Sequence, residues 1–339
     1  MIMAKKVEKR YLFPEDYMAD PSVHVFNGKI YIYPSHDWED DSNVEDDSGD
    51  QYIMKDYHVL SIDGDPMTGK VTDHGCVLRK EEIAWHGRQL WDCDVQEKDG
   101  KYYMFFPMKD KNDVFRHGVA VADNPAGPFI PQKEPVDGSY SIDMAILKDD
   151  DGQYYMYFGG LWGGQLQSYR DNVRIEDPAK NNTPYSPNLP HGSQPSLPSR
   201  VVKLSKDMLQ FGEEPKPVVV VDEEGNPLKA DDPHRFFEAS WTFKKDGKYY
   251  FTYSTGDSHL LCYAIGDNPY GPFTYKGVIL TPVVGWTTHH AIIEWKDKWY
   301  LFHHDSVPSG GKSWLRSLKV CELTFNPDGT IETIEGLDD

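Results

Sequence analysis

Long apolar runs are missing from this chain of 339 residues: no stretch approaches the roughly 18–20 residues needed to cross a membrane as a helix. Cysteine is scarce. The four present, Cys76, Cys93, Cys262 and Cys321, lie far apart with no C-x-x-C pair, which argues against a zinc knuckle and fits a reduced, cytoplasmic setting. Positive charge is short as well. The 35 Lys and Arg stand against 55 Asp and Glu, a formal net charge of −20 that repels nucleic acid and anionic membranes alike. The opening residues MIMAKKVEKR carry charge with no apolar stretch behind them, so no secretory leader is expected. Long helical periodicity is absent too.

What the chain has is aromatic residues and turn formers. Aromatics reach 13%, with 21 Tyr and 9 Trp, beside 28 Gly and 24 Pro, a composition suited to many short strands joined by tight turns. Hydrophobic residues make up 39%, enough for a core, so wholesale disorder is excluded. Apolar residues alternate, as in Lys29-Ile30-Tyr31-Ile32-Tyr33 and Tyr249-Tyr250-Phe251-Thr252-Tyr253, the pattern of strands with two unlike faces.

One unit recurs five times: a turn followed by an aromatic strand. It reads Asn27-Gly28-Lys29-Ile30-Tyr31, Asp99-Gly100-Lys101-Tyr102-Tyr103, Asp151-Gly152-Gln153-Tyr154-Tyr155, Asp246-Gly247-Lys248-Tyr249-Tyr250 and Lys296-Asp297-Lys298-Trp299-Tyr300. Asn-Gly and Asp-Gly predict type I′ hairpins, because Gly tolerates the positive φ that turn requires. A second repeat, Asp123-Asn124-Pro125-Ala126-Gly127-Pro128-Phe129 and Asp267-Asn268-Pro269-Tyr270-Gly271-Pro272-Phe273, follows two of the hairpins. Hairpin, strand, Pro/Gly turn and strand make one four-stranded blade. Five blades predict an all-β, five-bladed β-propeller forming a single domain over residues 1–339, with a β-sandwich as the competing fold. Two insertions stand out. Residues 39–50 hold seven acids in twelve and lack the spacing of a calcium loop, so they read as solvated surface. Residues 171–199 carry six prolines and read as a loop, placed either against one side of a substrate pocket or at a subunit interface.

In a propeller the first strand of each blade lines the central axis, so residues at a fixed distance before each hairpin turn converge there. Counting back eight or nine positions gives Asp20, Asp92, Asp143, Glu238 and His289. All five are ionisable. A lone acid at a strand end is usually a turn cap; five in register point to an active site.

These residues sit in Ala19-Asp20-Pro21, Trp91-Asp92-Cys93-Asp94, Ser141-Ile142-Asp143-Met144, Phe236-Phe237-Glu238 and Thr288-His289-His290, with Trp314-Leu315-Arg316 near the end. On these motifs the sequence resembles glycoside hydrolase family 43 over essentially its whole length. The resemblance implies Asp20 as general base, Glu238 as general acid, and Asp143 as the residue that orients the base and tunes the acid's pKa. It implies that Trp91 lines the sugar subsite and Arg316 contacts the sugar. It also implies a central Ca2+ or another divalent cation near His289, with His290 as the alternative, and reaction with inversion. Two departures occur: Asp92 and Cys93 stand where the family more often has Ala and Pro, and Met144 replaces Pro. The expected activity is exo-acting release of xylose from short β-1,4-xylooligosaccharides. α-L-arabinofuranosidase is the second reading and a non-catalytic sugar-binding propeller the competing class. The expected partner is a small oligosaccharide, with a homo-oligomer left open. Trp38, Trp162 and Trp286 carry no assignment.

Overall fold

The computed structural model describes residues 4–40, 43–175, 177–286 and 288–338. Its strands form five sheets arranged as blades, antiparallel throughout except that Val220–Val221 pairs in parallel with Phe273–Leu280. The innermost strands are Met18–Phe26, Asp94–Lys98, Ala145–Lys148, Glu238–Lys245 and His290–Trp295. Each pairs with the aromatic strand that follows it: Lys29–His36, Lys101–Lys109, Tyr154–Phe158, Lys248–Ser254 and Lys298–Asp305. The expected propeller is therefore the observed fold. Alternation explains the layering, because aromatic side chains of neighbouring blades meet between the sheets. Tyr157 stacks toward Phe251 of the next blade at 5.9 Å between ring centroids, for example.

The hairpins hold with one exception. Asn27-Gly28, Asp99-Gly100 and Asp246-Gly247 have both φ angles between 51° and 76°, as a type I′ turn demands, and Lys296-Asp297 reaches φ 50° and 62° without glycine. The Asp151-Gly152 copy differs. It belongs to a longer connection in which Gly152 N–H donates to Asp149 O and only Gly152, at φ 79°, is left-handed.

The ring closes by strand exchange between the chain's ends. Arg10–Tyr11 adds the outer strand to the last blade, pairing with Ser317–Leu323. Leu12 follows it, 3% exposed, and its N–H donates to Leu318 O. The closure has no covalent help, since all four cysteines are free. Leu12→Ala should cost about 2–5 kcal/mol; a denaturant melt that leaves the midpoint unchanged would show the closure to be dispensable.

A buried polar network links the inner strands of the first three blades. Asp94, fully buried, accepts from Ser22 Oγ, contacts His24 Nε2 at 2.5 Å and accepts from Ile146 N–H at 2.5 Å, tying three blades together. Gln96 adds a bond to Ile146 O at 2.8 Å.

Candidate active site

All five residues picked out by register line one pocket of about 280 Å3 at one end of the axis: Asp20, Asp92, Asp143, Glu238 and His289. Trp91 and Arg316 line it as well. The placement is a consequence of the ladders. Glu238 opens its inner strand, His289 immediately precedes its own, Asp92 and Asp143 lie two residues before theirs, and Asp20 sits inside the first. The backbone is bent at these points. Asp20 has φ 46° within a bulge between Ala19 and Ser22, Asp143 has φ 62°, and Ala239 has φ 61° in a bulge between Glu238 and Trp241. Left-handed alanine is unfavourable by roughly 1–2 kcal/mol. Here Ala239 N–H donates to Asp143 Oδ2 at 2.8 Å, so Asp143 fixes the turn that aims Glu238.

Asp20 is surrounded by cations and donors. Arg316 NH1 donates to its Oδ1 at 2.7 Å, and its backbone N–H donates to His304 Nδ1 at 3.1 Å. His289 Nδ1 stands 3.8 Å from the same carboxylate oxygen. Burial opposes its charge, but Arg316, followed by His289 and His304, outweighs burial and holds the carboxyl well below the usual range. Arg316 is itself gripped from behind. Asp37 accepts from Arg316 Nε at 2.9 Å, from NH2 at 2.7 Å and from its backbone N–H at 2.9 Å. Burial pushes Asp37 up to about 6, against the pull of Arg316.

Asp143 and Asp92 form a second group. Asp143 N–H donates to Asp92 Oδ1 at 3.3 Å, and Asp143 Oδ2 lies 3.1 Å from His289 Nε2. Burial raises both carboxyls; the Asp143 charge raises Asp92 further, while Asp143 is raised by Asp20 and drawn back by its hydrogen bonds with Ala239 N–H and Asp92. Two carboxyls so placed share a proton rather than both ionising. One atom each from Asp92, Asp143 and His289 lies within 4.8 Å of the others, a spacing that suits a cation. His290 points away from this group: its Nε2 meets Thr252 Oγ1 at 2.5 Å, and the residue is buried.

Trp91 is 8% exposed, donates its indole N–H to Tyr52 O at 3.0 Å and packs on Phe115 at 4.8 Å. Trp162 and Trp286, left unassigned in the sequence, also line the pocket and lie 5.8 Å apart between centroids.

The acidic insertion departs from expectation. Glu45, Asp46, Asp47 and Gly49 line the pocket, so this part of the insertion is a wall of the site and not merely solvated surface; residues 41 and 42 lie outside the described residues. The loop is built from its own acids: Asp46 Oδ1 accepts from Ser48 and Asp50 N–H at 2.9 and 3.0 Å. Gly49, at φ 77°, lies so close to Trp91 that a Cβ would come within 2.8 Å of its ring. Residues 171–199 contribute no lining residue among those described; Asn182 touches Ser48 at 3.4 Å and supports the acidic loop from behind. Sequence reasoning also missed Asp37 and His304. His304 lies on, and Asp37 directly follows, a strand leaving a hairpin, which returns to the same end of the axis as the strand entering it. Counting forward from the turns as well as backward would have found them.

Comparison with known proteins agrees with this geometry. The family model for glycosyl hydrolases family 43 matches residues 69–187 and 191–331. A "Xylosidase/arabinosidase" of Bacteroides ovatus is 66% identical over 98% of this chain and 100% of its own length. A "Beta-xylosidase" of Xylanibacter ruminicola is 59% identical over 97% of this chain and 100% of its own. A β-xylosidase/α-arabinofuranosidase from a compost metagenome, solved with xylotriose in a calcium-free form, superposes with a TM-score of 0.92 at 54% identity, covering 100% of both chains. With a family model spanning four of the five blades and relatives aligned end to end, this propeller with its axial carboxylates belongs to glycosyl hydrolases family 43.

Proposed function

We propose that the protein is an exo-acting, inverting β-xylosidase that releases xylose from short β-1,4-xylooligosaccharides, with α-L-arabinofuranosidase as a second activity. The observation that supports it most is the meeting of Asp20, Asp143 and Glu238 in one pocket walled in part by the acidic loop. The exo-acting reading draws on the 59% identical relative, a β-xylosidase, an activity that works on a chain end. The arabinoside reading draws on the double name of the 66% identical relative.

Glycoside cleavage needs one carboxylic acid to protonate the leaving oxygen and, for inversion, one carboxylate to take a proton from water on the opposite face. Asp20 is the ionised partner, since Arg316 holds it charged. Glu238 is the acid, and Asp143 aims it through Ala239 N–H. Arg316 carries the sugar-facing charge, and Trp91 offers an apolar wall to a pyranose face. A pure sugar-binding propeller requires no such acid–base pair. Release of p-nitrophenol from the β-D-xyloside and the α-L-arabinofuranoside tests the reading. Sugar binding with no release from either would overturn it.

Arg316→Lys should reduce kcat by about 10²-fold, because an ammonium cannot hold Asp20 and Asp37 at once and the misplaced base loses its alignment. A variant with wild-type kcat would remove Arg316 from the site's architecture.

A divalent cation fits the Asp92–Asp143–His289 group: it would offset the cost of burying two carboxylate charges there, and both carboxylates and one imidazole would hold it, with water completing an oxygen-rich shell. Its charge would stabilise the ionised carboxylates around it. Exhaustive chelation should then lower kcat, and Ca2+ or another divalent ion should restore it. Full activity in a protein shown to be metal-free would leave His289 with hydrogen bonding to Asp143 alone.

A further inference from the structure

Away from the axis, a second set of side chains on the first blade carries metal-binding chemistry that the hydrolytic site does not use. His36 ends the second strand of that blade, Asp56 and His58 open the third strand, Asp56–Asp63, and Asp73 lies on the fourth, Lys70–Arg79. One ligand atom each from His36, Asp56 and His58 falls within 4.8 Å of the others. His36 and Asp56 are buried and His58 is half-buried. The two imidazoles meet edge to face at 4.8 Å between centroids.

We propose that His36, Asp56 and His58 form a second cation site, suited to a divalent transition ion of the Zn2+ class and distinct from the axial group. The surroundings of the two rings carry the argument. His36 Nε2 is held by Asp16 Oδ2 at 3.2 Å, so its Nδ1 faces Asp56. His58 Nδ1 is held by both oxygens of Asp73 at 3.1 Å, leaving Nε2 as its ligand atom. A carboxylate on the outer nitrogen of each histidine is the arrangement that orients metal-ligating imidazoles and raises their basicity. Two imidazoles and one carboxylate match Zn2+, whose fourth position takes water; Ca2+ prefers an all-oxygen shell.

Charge agrees with the donor set. Asp16, Asp56 and Asp73 crowd the two rings, and Arg79 NH1 is 3.6 Å from Asp56 Oδ2 on one side. In the arrangement described, His36 Nδ1 and Asp56 Oδ1 are 2.7 Å apart and share a proton. Binding replaces that hydrogen bond by two metal bonds of about 2.0–2.2 Å and releases the proton to solvent. The site also adjoins the active centre. Trp38 Nε1 donates to Asp56 Oδ1 at 3.1 Å at the base of the acidic loop, and Asp37, next to His36, holds Arg316. An ion here fastens the foot of the pocket wall.

Calorimetric titration of the chelated full-length protein with ZnCl2 tests the proposal, with His58→Gln, Asp73→Asn and His289→Gln in parallel. His58→Gln should bind one zinc fewer than wild type, and Asp73→Asn should weaken that same ion by about 10–100-fold. His289→Gln should retain it. The proposal is overturned if wild type binds no zinc, if His58→Gln binds as many ions as wild type, or if all binding disappears with His289. Should His58→Gln fail to fold, zinc K-edge absorption of wild type and His289→Gln decides: a two-imidazole shell supports the site, and a shell with one imidazole or none refutes it.

Discussion

Replacing Glu238 with alanine should lower hydrolysis of xylobiose by about 10²–10⁴-fold, the range a single general acid contributes, while p-nitrophenyl β-D-xyloside loses far less. The difference follows from the leaving group. A sugar hydroxyl departs only if it is protonated as the bond breaks, whereas a nitrophenolate departs as the anion. Phe237, almost fully buried, and the left-handed Ala239 hold the backbone on both sides of Glu238, so truncating a half-exposed side chain should leave the fold intact. Equal losses on the two substrates would take the acid's role away from Glu238. Asp143→Asn should produce a weaker version of the same split, because the bond from Ala239 N–H would meet a neutral acceptor.

Asp20→Ala should lose a comparable 10²–10⁴-fold, but on both substrates alike. The base activates water, and water must attack whichever group departs. Arg316 would remain bound to Asp37 through three hydrogen bonds, so removal of Asp20 leaves no unpaired buried cation and the variant should melt close to wild type. This separates a catalytic loss from a folding loss. A leaving-group dependence in the Asp20 variant would assign it the acid's work.

Much of this site was legible in the sequence because ladder register is arithmetic. Five hairpins with one pattern bring five positions to one end of an axis, and Asp20, Asp92, Asp143, Glu238 and His289 line the pocket as the counting requires. Arg316 and Trp91 entered by family resemblance and occupy the same pocket. Loops obey no such rule. The acids of residues 39–50 signal solvent by charge, yet Asp46 folds the loop over Trp91 by capping Ser48 and Asp50 N–H, a tertiary placement that no local pattern encodes. Asp37 was hidden for a related reason: its partner Arg316 lies 279 residues away. The first-blade histidines showed no shared spacing because they come from neighbouring strands of one sheet, brought together only by pairing.

The most direct test follows xylotriose hydrolysis by wild-type protein with proton NMR from the first minutes. An exo-acting, inverting β-xylosidase with Asp20 as base must release α-xylose together with xylobiose, the β anomer appearing only as mutarotation proceeds. Initial release of β-xylose would mean retention and a nucleophile in place of a base, and no xylose at all would contradict the account at its centre.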